Sequence, residues 1–136
     1  AFDIQASALE NTKKRLEDAG LTNAVLIHSS HADCEKYVKE NIDAGMFNLG
    51  YLPWADKSVT TKQETTLTAV EKALSRLKVG GVLVIVVYSG HEEGRLEGEA
   101  LQARLSRLDH KKWDVLLHRL IHVPTCPYIL AAERRK

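Results

Sequence analysis

The chain has 136 residues, 44% of them hydrophobic, with 19 Lys+Arg against 18 Asp+Glu and a formal net charge of +1. That length and apolar share fit one domain, residues 1–136, around one core. The near balance of charge excludes a polybasic protein that holds nucleic acid through a global field, so any such contact must come from a local patch.

The chain alternates between strand and helix patterns. "AFDI" reads as the tail of a strand. Ser7 to Ala19 reads as a helix, because Leu9, Thr12, Leu16 and Ala19 recur on one face and Gly20 follows as a stop. "AVLIHSS" (24–30) is a short apolar strand, Asp33 to Asn41 a short helix, and "AGMFNLG" (44–50) a weaker strand. Lys62 to Lys78 carries the stripe Leu67, Val70, Leu74 and Leu77 and is expected to end at Gly80-Gly81. "VLVIVVY" (82–88) is apolar on both faces, which predicts an interior strand covered by helices on both sides. Leu96 to Leu108 is a further amphipathic helix. Two late strands, 113–122 and 128–133, are joined by "VPTCP". The alternation predicts an α/β layered fold with a mainly parallel sheet.

The apolar run Val82 to Val87 is far too short to cross a bilayer, and no membrane contact is expected. The opening residues, with Asp3 among them, do not read as a signal peptide. Cys34 and Cys126 fit neither a disulfide framework nor a zinc site and read as reduced, intracellular thiols.

In open α/β sheets ligands bind at the carboxyl ends of the strands. Here those ends read "FDIQ", "IHSSH", "FNLGYLP" and "VVYSGH". Asp3 fits two readings, a carboxylate that accepts from ribose hydroxyls or a cap for the next helix. Gln5 alone reads as a helix start. His28 and His31 lack a third ligand at a metal-binding spacing, so solvent-facing loop positions are the simpler reading. His118 and His122 alternate with apolar residues and read as structural. His91 either orients substrate or takes a proton at the mouth of the sheet, or it caps the loop.

Three stretches carry a resemblance. "FDIQ" with its "AL..T..RL...GL" helix, "FNLGYLP.ADKS..T" (47–61) and "L..GG.L.I..Y.GH..G..E" (77–97) resemble, in order and spacing, a small family of class I S-adenosylmethionine-dependent methyltransferases. The family was first labelled as rRNA methylases. Members now assigned a function methylate the amine of 5-aminomethyl-2-thiouridine at the tRNA wobble position. The resemblance implies a Rossmann-like sheet with helices on both faces and S-adenosylmethionine as cofactor. It implies that Asp3 holds the ribose hydroxyls, that Gln5 sits beside the adenosine, and that Ser30 and His31 line the adenine end. Asn48 would border the cofactor as well as the substrate: it corresponds to the first position of an "NPPY"-like motif, whose side-chain amide and backbone carbonyls orient a target amine towards the methyl group. Tyr51 would stack on the base and Pro53 stiffen the loop. Asp56, Lys57 and Ser58 would contact substrate or hold the loop. Asp56 or His91 would take the amine's proton. Trp54 stands where the family usually has a small residue, which implies a stiffer loop or a narrower pocket.

The implied partner is tRNA, bound through an unstacked wobble uridine. Phosphate contacts would come from Lys13, Lys14, Arg15, Lys57, Arg95, Arg104, Arg107, Lys111, Lys112 and the tail Arg134-Arg135-Lys136. Three other readings are rRNA or small-molecule methylation, a different Rossmann-like enzyme, and a non-catalytic methyltransferase-fold module. The family's first strand and glycine-rich loop are expected ahead of "AFDIQ" and are not in this sequence. In the family's strand order, 3-2-1-4-5-7-6, that omission should split the sheet in two, leave unpaired edges, favour a homodimer and weaken cofactor binding by the isolated chain. A bacterial cytoplasm is the expected setting, or an organelle if a leader has been removed.

Overall fold

The computed structural model describes residues 1–49 and 63–136. In chain order the elements are β1 (Phe2–Asp3), α1 (Ala6–Asp18), β2 (Ile27–His28), a 3-10 turn (His31–Asp33), α2 (Cys34–Tyr37), β3 (Ile42–Asn48), α3 (Gln63–Arg76), β4 (Leu77–Val87), α4 (Glu92–Leu105), β5 (Trp113–His118) and β6 (Tyr128–Arg134). The strands form two sheets. β1 and β2 pair in parallel, and the larger sheet has the order β3-β4-β6-β5. This is the split that the strand order implied. Among the described residues, β1 and β3 each pair with a single neighbour.

The sheet is less parallel than the sequence suggests. β3 and β4 run parallel, whereas β6 is antiparallel to both β4 and β5. β5 and β6 are consecutive strands with a short connection, and such a connection returns the chain antiparallel rather than crossing over. β6 therefore lies between β4 and β5, a long-range pairing that periodicity cannot reveal.

The core lies on one face of the larger sheet. Leu83, Ile85 and Val87 of β4 and Tyr128, Leu130 and Ala132 of β6 point to that face. They meet Val70, Ala73 and Leu74 of α3 and Leu101 and Leu105 of α4. The α3 stripe is regular: Thr66, Ala69, Val70, Ala73 and Leu74 are all buried, at the spacing of one helical face. Each large apolar side chain buried this way contributes about 1.5–3 kcal/mol relative to exposure. The other face of β4, Val82, Val84 and Val86, stays only half-buried, so the expectation of full cover on both sides of this strand is not met. One cross-strand row on that face runs Met46, Val84, Ala131, Leu116. Its two ends are open, with Met46 75% exposed.

Gly80-Gly81 does not end α3 as expected. The helix stops at Arg76 and the chain enters β4 directly at Leu77. The glycines lie within the strand, where its register with β3 slips between Ile42 and Ala44. Gly80 has φ +79°, and a Cβ on Gly81 would lie 2.9 Å from the Lys78 carbonyl oxygen, so this kink needs both residues. The helix expected over 33–41 is shortened to the 3-10 turn plus α2, and the late strand expected over 113–122 ends at His118.

Truncating Leu83, which is fully buried, should cost about 2–5 kcal/mol. Truncating the exposed Met46 should change stability by less than about 0.5 kcal/mol. Urea unfolding of Leu83→Ala and Met46→Ala checks the assignment of the two sheet faces.

Candidate functional site

The carboxyl ends of the parallel strands carry the residues singled out by the sequence. Asp3 ends β1 and is half-buried. Its Oδ1 accepts from the Gln5 backbone N–H at 2.8 Å, and its carbonyl accepts from the Ser29 N–H at 3.1 Å. Gln5 is the N-cap residue of α1, in extended conformation. Both readings of Asp3 are therefore compatible with its place: one carboxylate oxygen shapes the entry to α1, and the other carries no hydrogen bond among the described residues. Ser30 starts the 3-10 turn, its Oγ accepting from the Ala32 N–H at 3.2 Å.

His31 packs edge-on against Phe47, with ring centroids 5.7 Å apart. This contact joins the small sheet to the end of β3. Burial holds the His31 imidazole below its ordinary pKa, which favours the neutral ring. Asn48, the next residue after Phe47, ends β3. It is exposed, and its side-chain amide makes no hydrogen bond among the described residues. Tyr51, Pro53, Trp54, Asp56, Lys57 and Ser58 lie outside the described residues.

His91 takes the capping position. It precedes α4 in extended conformation, and its Nδ1 accepts from the Gly94 N–H at 3.1 Å. The same nitrogen lies 3.3 Å from Glu93 Oε2. The Gly94 contact needs an unprotonated Nδ1 and the Glu93 contact a protonated one, so the two exclude each other at any instant. Taking a proton on Nδ1 would require His91 to release the cap.

α3 laces these parts together. Lys72 Nζ donates to the Ala32 carbonyl at 2.8 Å and pairs with Glu35 at 3.2 Å, and Arg76 Nη1 donates to the Lys39 carbonyl at 2.6 Å. Near its start, the buried Thr66 hydroxyl donates to Oε1 of Glu97 at 2.5 Å. Glu97 is 4% exposed. Two glycines of α4 make that burial feasible. A Cβ on Gly94 would lie 2.0 Å from the Tyr88 carbonyl oxygen, and one on Gly98 2.1 Å from the Tyr128 hydroxyl. α4 thus packs unusually close to the ends of β4 and β6. Burial pushes the Glu97 carboxyl above the ordinary glutamate range, opposed by the Thr66 hydroxyl and by the charge of a protonated His91 nearby.

Glu97 closes the "GH..G..E" pattern, but the sequence reading gave it no role, and Thr66 had no signal at all. Several cations expected to meet phosphate are instead engaged within the chain. Arg104 pairs with Glu71, Arg95 with Glu99, Arg135 with Asp114 and Lys13 with Glu17, and Arg134 donates to the Leu77 carbonyl. A concavity of about 260 Å³ lined by Glu71, Arg104, Trp113 and Arg134 sits at the opposite pole, where β4 starts and β6 ends. It is remote from the strand ends that carry Asp3, Asn48 and His91. No group of three or more His, Cys, Asp or Glu side chains among the described residues could hold a metal ion.

Because the Glu97 pKa is raised by folding, its stabilising contribution is full below about pH 4.5, the ordinary value, and is lost as pH rises through the folded value. Glu97→Gln keeps an acceptor for Thr66 and cannot ionise. Thermal melts should show the variant gaining on the parent as pH rises above about 4.5, with the gain levelling off at higher pH.

The fold recurs in known proteins. The family model described as "Putative rRNA methylase" matches residues 1–133. A "putative rRNA-methylase" structure from Clostridium thermocellum superposes with a TM-score of 0.93 at 38% identity, covering 98% of this chain and 73% of that one. A "putative methyltransferase" from Streptococcus mutans, solved in complex with SAH, gives a TM-score of 0.90 at 42% identity and covers 98% of this chain and 74% of that one. The chloroplastic tRNA (mnm(5)s(2)U34)-methyltransferase of Arabidopsis thaliana is 35% identical, a match that covers 100% of this chain and 52% of the relative. The chain thus spans about half the length of that curated relative. With a family model matched from its first residue to residue 133 and the same mixed α/β architecture, the chain belongs to the rRNA methylase family of class I methyltransferases.

Proposed function

We propose that the chain serves an S-adenosylmethionine-dependent methyltransferase that N-methylates the aminomethyl group of the wobble uridine in tRNA. The observation that carries the reading is Asn48: an uncommitted side-chain amide at the open carboxyl end of a parallel strand, beside the Phe47–His31 contact. Family membership and the similarity to the wobble-uridine enzyme of Arabidopsis thaliana support it.

The donor set fits an adenosyl group. The free oxygen of Asp3 suits two vicinal hydroxyls, and the Ser30 turn and the neutral His31 ring suit a flat heterocycle. Asp3, Gln5, Ser30 and His31 would hold it. When bound, it supplies an electrophilic methyl group. Asn48 then does the positioning: its side-chain oxygen accepts from an N–H of the target amine and turns the nitrogen lone pair in line with the methyl carbon. The amine must be neutral to attack, so a proton has to leave it, and His91 stands at the N-cap of α4, just after the adjacent strand β4. Tyr51, Pro53, Lys57 and Ser58 complete the substrate side in this reading, with Asp56 as a second proton acceptor. Among the described cations, Lys14, Arg15, Arg107, Lys111, Lys112 and Lys136 are outside the ion pairs above and remain available to phosphates.

Asn48→Ala should lower kcat on tRNA bearing 5-aminomethyl-2-thiouridine by about 100-fold or more, with S-adenosylmethionine affinity changed less than about threefold. Transfer of labelled methyl to under-modified tRNA, with rRNA as the parallel substrate, checks both points. Equal transfer by the parent and Asn48→Ala would overturn the assignment of Asn48. Labelling of rRNA alone would replace the tRNA reading with the rRNA one.

A further inference from the structure

The concavity of about 260 Å³ at the pole opposite Asp3 and Asn48 has no part in the proposed reaction. Trp113, Lys112, Arg134 and Lys136 line it, together with the apolar Leu74 and Leu108. Trp113 and Arg134 are cross-strand partners in the β5–β6 ladder, so their side chains are neighbours on one face of the sheet. It is the face on which Leu130 and Ala132 meet the core. Alternation puts Asp114 and Glu133, the next pair in the ladder, on the other face.

The cations of this concavity differ in their partners. Arg104 is gripped by both carboxylate oxygens of Glu71, which occupies the one acidic side chain in the lining. Arg134 meets main-chain oxygens instead: Nη1 donates to the Leu77 carbonyl at 2.6 Å and Nε to the Lys136 carbonyl at 3.2 Å. Its guanidinium is thereby fixed without an Asp or Glu partner among the described residues, and Nη2 is left open. The backbone of Lys112 is held at both ends, its N–H donating to the Asp109 carbonyl at 2.9 Å and its carbonyl accepting from the Arg135 N–H at 2.8 Å. The Lys112 and Lys136 ammonium groups have no partner among the described residues. A fixed guanidinium, two uncommitted ammonium groups and an indole suit a phosphate joined to a flat ring.

We propose that this concavity is a nucleotide subsite for the RNA substrate, in which Lys112, Arg134 and Lys136 hold one backbone phosphate and Trp113 stacks on the adjoining base. The proposal deepens the RNA methyltransferase reading and rests on it. Leu77, whose carbonyl fixes Arg134, and Val86, paired with Asn48, are separated by roughly 30 Å of β4. One nucleotide does not span that distance, so the subsite grips a part of the RNA away from the target base. A volume of about 260 Å³ is near the lower end of small-ligand pockets and matches one nucleotide rather than a duplex. Stacking on Trp113 requires an unpaired base.

The neighbouring acids do not oppose an anion there. Asp109 Oδ1 accepts from the Lys111 N–H at 3.0 Å, and Asp114 pairs with Arg135 at 3.3 Å. Glu71, on α3, is held by Arg104 of α4, and that double bond fixes the two helices against each other. The wall of the subsite is therefore set before any ligand arrives, which lowers the ordering cost of binding.

The test titrates single-stranded oligoadenylate, which contains no uridine, into Trp54→Phe, where Trp113 is the one remaining indole. Oligoadenylate should quench the Trp113 fluorescence. In that background Lys112→Gln and Arg134→Gln should each weaken binding by about tenfold. Lys112→Gln should also lower the log–log salt slope of binding by about 0.7. The same charge change at Lys36, on α2, should alter affinity by less than about twofold. Absence of quenching, or equal affinities in Lys112→Gln and Lys36→Gln, would overturn the proposal. Adenosine monophosphate bound as tightly as oligoadenylate would overturn the RNA assignment in favour of a free nucleotide. If Arg134→Gln does not fold, Lys112→Gln decides, because its ammonium holds no other part of the described structure. With neither S-adenosylmethionine nor uridine present, a failed methyl-transfer assay and a failed subsite remain separate results.

Discussion

The structure depends on one helix holding together two sheets that, among the described residues, share no strand ladder. β1 and β2 form a two-stranded sheet of four residues, too short to be stable by itself. What attaches it to the larger sheet is the 31–39 segment, and that segment is attached to α3. Lys72 and Arg76 reach two of its backbone carbonyls, and Lys72 also pairs with Glu35. The apolar stripe of α3 packs on β4, so the helix is fixed by the core on one side and fixes the small sheet on the other. His31 against Phe47 closes the arrangement at the strand ends. Asp3 and Asn48 stand on different sheets, and α3 is the element that links the segments carrying them.

Close packing on the other side of α3 explains the most unusual polar feature. Gly94 and Gly98 let α4 settle onto β4 and β6, and that settlement carries Glu97 under the first turns of α3. The same descent brings the His91 ring over the Gly94 amide. Larger residues at 94 or 98 would push α4 away and re-expose the carboxyl. The helix cap, the buried acid and the fit of helix to sheet are thus one device rather than three. It stands just after the carboxyl end of β4.

Much of this was legible in the sequence, for identifiable reasons. The α3 stripe and the run Val82–Val87 follow from periodicity, because one buried helical face or strand leaves a local pattern. The resemblance of three stretches pointed to Asp3, Asn48 and His91 at strand ends; the structure has Asp3 and Asn48 ending β1 and β3, and His91 at the N-cap of α4, four residues past the end of β4. Other features depend on contacts distant in sequence. The antiparallel place of β6 between β4 and β5 leaves no periodic trace. Gly80-Gly81 looked like a helix stop and is a kink inside β4, since a glycine pair serves either purpose. Glu97 stood in plain view in "GH..G..E", but its burial arises from Gly98 against Tyr128 and from Thr66, 31 residues earlier. The capping reading of His91 stood beside the catalytic one, and only the Gly94 bond shows that the ring is held by the backbone.

The most direct test of the account is hydrogen exchange with and without millimolar S-adenosylhomocysteine. If the crevice between the two sheets is the cofactor site, protection should appear together in 27–33 on the small sheet and 46–49 at the end of β3. The pole around Trp113 and Arg134 should be unaffected. Protection confined to that pole, or to one sheet alone, would contradict the claim that α3 sets the two sheets around a shared site.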